Sequence, residues 1–125
     1  MQTFGQLEAA VMQRLWDWQR PVAVREVLED FQKDRTIAYT TVMTVMDNLF
    51  QKGFLKRDMH GRAFRYLPVR TREQHTADLM EQALSNGGDS AATLLYFIKQ
   101  IPANEVEQLR RVLDQTVLDQ KDSQP

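Results

Sequence analysis

Cysteine is absent from these 125 residues, which excludes disulfides and thiolate metal sites. No apolar stretch approaches the roughly 18–20 residues that span a bilayer, so direct membrane insertion is not expected. The opening MQTFGQLEAAVMQRLW has neither the basic start nor the small-residue cleavage site of a secretory signal. Cytoplasmic location is therefore the default expectation. There is no P-loop and no G-x-G-x-x-G, and no repeat or low-complexity segment. Two histidines, His60 and His75, have no carboxylate-rich motif beside them and read as surface side chains. No catalytic residue, metal site or cofactor is expected, and the chain does not read as an enzyme.

What is present is ordinary in bulk. Hydrophobic residues make up 42% and charged residues 26%, the balance of a soluble globular chain. The net charge of −1 is uninformative until divided along the chain. Residues 1–34 carry 4 basic and 6 acidic side chains, residues 35–72 carry 8 and 2, and residues 73–125 carry 4 and 9. The middle third is thus basic by +6 between acidic flanks, a pattern that points to a polyanionic partner. Plain solvated surface charge is the competing explanation.

Apolar spacing organises the chain into helices. Leu7, Ala10, Val11, Leu15 and Trp18 predict a helix over 5–18, and Val24, Val27, Leu28 and Phe31 a shorter one over 23–33. Arg20-Pro21 separates them, so the two are spatial neighbours. A third helix, over 39–52, has Val42, Val45, Met46 and Leu49 along one stripe. Thr40, Thr44, Asp47 and Gln51 lie opposite, with Thr41, Met43 and Asn48 on the flanks. Threonine is not a strong helix former, so propensity does not account for that face. Gly53 suits a left-handed C-terminal cap with Phe54 folding back; no N-terminal cap is evident.

FLKRDMHGRAFRYLP then alternates with period two and breaks at His60-Gly61, which predicts a cationic β-hairpin ended by Pro68. Beyond it Thr71 and Gln74 match a capping box. A helix bearing Ala77, Met80, Ala83 and Leu84 follows, stopped by Asn86-Gly87-Gly88. Asp89 or Ser90 caps a helix with Leu94, Leu95, Phe97, Ile98 and Ile101. Pro102 opens a last one with Val106, Leu109, Leu113 and Val117 along one seam.

Three helices followed by a basic hairpin is the winged helix-turn-helix layout. The expected fold is mainly α: a DNA-binding domain over 1–70 and a three-helix dimerisation region over 71–125. In such proteins the third helix enters the major groove, so its back must be apolar and its front polar. Threonine suits the front, since its hydroxyl reaches base edges or phosphates and its methyl packs on thymine. Helix N–H groups can also meet phosphate. Lys52, Lys56, Arg57, Arg62 and Arg65 are expected to grip the backbone, which positions without specifying. Asp47 shares the polar face, where it either stands clear of the phosphates or accepts from a cytosine amino group.

The stretches LEAAVMQRLW, AYTTVMTVMDNLFQKGFLKR and RAFRYLPV strongly resemble the penicillinase-repressor family, in its actinobacterial branch, over nearly the whole chain. The resemblance implies a homodimeric repressor of transcription acting on dyad-symmetric operators of double-stranded DNA upstream of β-lactam resistance or stress genes. It implies TACA/TGTA-like half-sites read by Thr40, Thr41, Met43 and Thr44, with Asn48 beside them. Staphylococcal-type members have an arginine where this chain has Met43, so operator preference is expected to differ. In the best-known branch a membrane sensor triggers cleavage of an Asn-Phe bond; the corresponding pair here is Tyr96-Phe97, which keeps only the phenylalanine. The copper-sensing branch uses a cysteine cluster that this chain lacks.

Residues 71–125 are too few for a robust core of their own. Pairing two copies through Met80, Leu84, Leu94, Leu95, Ile98, Val106, Leu109, Leu113 and Val117 would bury their stripes, and two-fold symmetry is the commonest arrangement. Packing of these stripes on the winged domain is the alternative. For the molecule as a whole, the competing function is a winged-helix protein-interaction module without sequence-specific DNA binding.

Overall fold

The computed structural model describes residues 4–123, with side chains through residue 117. Its elements run α1 (Gln6–Trp18), α2 (Val24–Phe31), α3 (Tyr39–Gln51), β1 (Leu55–His60), β2 (Ala63–Pro68), α4 (Arg72–Asn86), α5 (Ser90–Gln100) and α6 (Ala103–Ser123). This is a mainly helical winged helix-turn-helix arrangement followed by three helices, as the spacing predicts.

Each early helix begins and ends for a local reason. At the start of α1 the Glu8 carboxylate accepts from the Gly5 N–H at 3.0 Å, satisfying a donor that the helix itself leaves free. The helix ends at Gln19, whose φ of 52° turns the chain left-handed. Glu26 repeats the device for α2 by accepting from the Ala23 N–H at 2.9 Å. The end of α3 is a Schellman motif: Phe54 N–H donates to Leu49 C=O at 2.9 Å and Gly53 N–H to Phe50 C=O at 3.0 Å. That closure requires a left-handed residue, and Gly53 supplies it at φ 89°.

β1 and β2 pair antiparallel from Leu55 opposite Pro68 to His60 opposite Ala63. Gly61, at φ 63°, takes the first place of the two-residue turn, the pattern of a type II′ hairpin. The sequence reading missed one addition. Val22 joins the ribbon's edge, its N–H donating to Tyr66 C=O at 3.1 Å and Tyr66 N–H returning the bond at 2.8 Å.

The apolar stripes of all three helices meet under this ribbon. Val11, Leu15, Val22, Val27, Phe31, Val42, Met46 and Leu49 are completely buried, with Met12, Leu55 and Tyr66 nearly so. Each large side chain removed from water in this way contributes roughly 1.5–3 kcal/mol. None of the buried residues is polar or charged among the described ones.

The chain divides into two compact units, Met1–Met80 and Glu81–Pro125, with the division inside α4. Side-chain bonds tie the start of that helix to the first unit. Trp16 Nε1 donates to Arg70 C=O at 2.9 Å, Arg72 reaches Asp17 at 2.7 Å, and His75 stacks on Phe4 with centroids 4.6 Å apart. The first two turns of α4 are therefore bound to the winged unit. The expected capping box opens that helix: Thr71 N–H donates to Gln74 Oε1 at 3.0 Å and Gln74 N–H to Thr71 Oγ1 at 3.1 Å.

The second unit differs in kind. No described side chain of α4, α5 or α6 is buried. Asp89 caps α5 by accepting from the Ala92 N–H at 3.2 Å, so local geometry is well made although the stripes are covered only in part.

Candidate nucleic-acid interface

The helix expected to read DNA has its underside fixed and its front free. Val42, Met46 and Leu49 are fully buried and Val45 is half-buried. Thr40, Thr41, Met43, Thr44 and Asn48 are all exposed. Ala38, the N-cap, has no side-chain oxygen for the first N–H groups; the Thr41 N–H donates to the Ala38 C=O at 3.1 Å, and those of Tyr39 and Thr40 have no side-chain cap. Tyr39 is 42% exposed at the same end, with the Arg25 guanidinium 5.9 Å from its ring. Arg25 makes no ion pair among the described residues. Neither Arg25 nor Tyr39 was singled out from the sequence, where Arg25 sits in a packing helix and Tyr39 precedes the threonines.

The basic middle is less open than its charge suggests. Of its eight cations, Arg35 pairs with Asp34 at 3.5 Å, Lys52 with Glu8 at 2.8 Å, Arg57 with Asp47 at 3.0 Å, Arg70 with Asp78 at 2.7 Å and Arg72 with Asp17 at 2.7 Å. Lys56, Arg62 and Arg65 have no such partner among the described residues. All three lie on the wing and are exposed. Residues opposite one another in an antiparallel pair share a face. Leu55, Arg57, Tyr66 and Phe64 thus face the core side, while Lys56 and Arg65 face away and Arg62 occupies the turn.

Arg57, expected as a backbone grip, is instead enclosed. Its guanidinium lies 3.9 Å from the Phe50 centroid and 4.0 Å from that of Phe64, with Nη1 3.0 Å from Asp47 Oδ1 and 3.5 Å from Tyr66 Oη. Burial disfavours its charge, but the bonds to Tyr66 and Asp47 outweigh this and raise its pKa. Asp47 accordingly answers to Arg57 rather than standing alone on the polar face. Lys52 is similarly committed, and its hydrogen bond holds the Glu8 carboxyl below its usual range, helped by the Gly5 N–H. Arg14 does the same for Asp30 across α1 and α2.

His60 is exposed on the wing, as expected. His75 is not a plain surface side chain: it stacks against Phe4, with Trp16 at 5.4 Å and Phe54 at 5.8 Å. The flanking TREQHTAD is polar, so nothing local marks it as part of an aromatic cluster. No group of three or more His, Asp or Glu is arranged to hold a metal among the described residues. No described helix is long and apolar enough to cross a membrane.

Of the side chains expected to pair, Met80, Leu94, Leu95, Leu113 and Val117 are exposed, and Leu84, Ile98, Val106 and Leu109 are half-buried. Tyr96 and Phe97 stand 65% and 44% exposed in the interior of α5. Their shared peptide bond is therefore helical, and a protease would have to unwind it first.

The family described as penicillinase repressor matches residues 4–115. Two curated relatives, each a "Transcriptional regulator BlaI" from Mycobacterium tuberculosis (strains CDC 1551 / Oshkosh and ATCC 25618 / H37Rv), are 42% identical over 112 residues. Those alignments cover 87% of this chain and 81% of each relative. Among solved structures, the solution structure of the DNA-binding domain of the repressor BlaI aligns with a TM-score of 0.49 and 27% identity. It covers 56% of this chain and 84% of that one.

Proposed function

The chain belongs to the penicillinase repressor family, and from that premise we propose that it represses transcription by binding operator DNA as a homodimer. α3 enters the major groove, with Thr40, Thr41, Met43 and Thr44 toward base edges and Asn48 beside them. Lys56, Arg62 and Arg65 on the wing meet phosphates and hold the register. Arg25 adds a cation beside the N-terminus of α3. The observation that carries the reading is the pairing of an exposed threonine front on a buried underside with three free wing cations.

Two copies make the reading workable. The open apolar side chains of α4, α5 and α6 pair across a two-fold axis, the proposed role of Met80, Leu84, Leu94, Leu95, Ile98, Val106, Leu109, Leu113 and Val117. Two α3 helices about 34 Å apart then face successive major grooves. Linking the sites raises affinity by roughly 10²–10⁴ through effective concentration, so anything that unpairs the copies releases the DNA. Cutting α5 at Tyr96-Phe97 is one such event, within a pathway that begins at a membrane sensor; the chain's place of work is the cytoplasm.

Selection of genomic fragments by the purified chain tests this. The expected product is a palindrome whose half-site centres lie about one helical turn apart. Thr41→Ala or Thr44→Ala should relax the preference and leave the oligomeric state unchanged. Fragments with no common sequence, or with half-sites lacking dyad symmetry, would sink the proposal.

A further inference from the structure

A two-stranded ribbon is marginal by itself, and beyond Tyr66 this one has little core beneath it: Met59 is 56% exposed and His60, Gly61, Arg62 and Ala63 are all open. The link from α3 to β1 is only Lys52, Gly53 and Phe54. Something must fix the direction in which the wing leaves the recognition helix, because a wing that swings cannot meet phosphates in step with α3.

We propose that Arg57 is a positioning residue, clamped by Asp47, Phe50 and Phe64, that sets the angle between the recognition helix and the wing. This rests on the DNA-binding reading above. One guanidinium joins three elements. Asp47 and Phe50 belong to α3, Arg57 to β1, and Phe64 and Tyr66 to β2. Its guanidinium carbon lies over two aromatic rings, 3.9 and 4.0 Å from their centroids, while Nη1 donates to the Asp47 carboxylate. A planar cation does both at once; a lysine ammonium is a point charge and cannot stack on two rings. The side chain is only 19% exposed, against 47% for Asp47.

The same contact explains why an acid is tolerated on the face presented to phosphates. Asp47 repels the backbone if unpaired, but beside Arg57 the pair is close to neutral. Positioning therefore predicts an unusual sign. Neutralising Asp47 should weaken operator binding, although removing a negative charge from a DNA-facing surface would otherwise strengthen it.

The experiment uses the full chain, its selected operator duplex and a random duplex of equal length, titrated across a salt series. Arg57→Lys keeps the charge and should lower operator affinity several-fold to roughly tenfold, the range expected for weakened cation–π contacts. Its salt slope should match that of the unaltered protein. Asp47→Asn should lower the operator-to-random ratio in the same direction. The double variant should be no worse than Arg57→Lys alone, since both changes break one contact. Arg57→Lys with full operator affinity, or Asp47→Asn binding both duplexes more tightly, overturns the clamp. Arg57→Gln flattening the salt slope by as much as Arg62→Ala also overturns it, by making Arg57 a phosphate contact. If Arg62→Ala leaves both slope and affinity untouched, the DNA-binding reading fails, independently of the clamp. Asp47→Asn changes a half-exposed side chain and should still fold, which thermal unfolding checks.

Discussion

Arg62→Ala and Arg72→Ala remove the same charge from the same basic segment, yet the ion pairs predict opposite outcomes on DNA. Arg62 sits exposed in the wing turn without an ion-pair partner among the described residues, whereas Arg72 is 2.7 Å from Asp17. Moving Arg72 to a phosphate would leave Asp17 unpaired, so little is gained by the exchange. With Lys56, Arg62 and Arg65 as the free wing cations, a dimer neutralises about six phosphates, for a slope of log affinity on log salt near −5.4. Affinity should then fall by roughly 2,000-fold between about 50 and 200 mM salt. If all eight cations of residues 35–72 bound phosphate, the slope would approach about −14. Arg62→Ala removes one contact per copy and should flatten the slope by about 1.8, a relative change of roughly tenfold over that salt range. Arg72→Ala should leave the slope where it was. Fluorescence anisotropy on a labelled operator duplex measures all of this. A slope near −14 in the unaltered protein, or equal flattening by the two variants, would refute the assignment of the basic segment to internal pairs.

Gly53→Ala should destabilise the winged unit by about 1–2 kcal/mol, all of it backbone strain, because an added Cβ meets nothing within 4 Å; a denaturation midpoint unchanged from the parent would contradict the left-handed cap. Met46→Ala, at a fully buried site, should cost about 2–5 kcal/mol. Thr44→Ala on the opposite face should stay within about 0.5 kcal/mol, so comparable losses by chemical denaturation would mean that α3 is rotated from its described phase. Glu8 and Asp30 have folded pKa values below their unfolded ones. Their stabilisation is complete above the ordinary carboxylate range of about 4 and is lost as pH falls through the folded values. Glu8→Gln and Asp30→Asn should each blunt the acid side of a stability–pH curve, and an unaltered acid limb in both would count against these bonds.

Much of the architecture could be read from the residues because its causes are local. Val42, Val45, Met46 and Leu49 declare their stripe at helical spacing, Gly53 its left-handed turn, and Thr71 with Gln74 a reciprocal cap three residues apart. The threonine front emerged by the same route, as the remainder once the buried side was assigned. What escaped was set by partners far along the chain. Lys52 meets Glu8, Arg72 meets Asp17, and His75 meets Phe4, Trp16 and Phe54; no window of ten residues contains any of these pairs. Counting charge located the basic segment correctly but could not tell which cations were already engaged. The ties of α4 to the winged unit were hidden for a related reason: Pro68 ends a strand in the sequence, while the aromatic and ionic contacts of Arg72 and His75 reach back to Asp17 and Phe4.

The unburied side chains of α5 have a bearing on how long each copy survives. Under the proposed pairing, a newly made chain without a twin leaves Leu94 and Leu95 in water. Cells clear poorly covered chains through chaperones and proteases, so unpaired copies would be turned over faster than matched pairs. If the chain pairs on operators as proposed, turnover would rise as abundance falls, and a modest drop in synthesis would empty them more sharply than simple dilution.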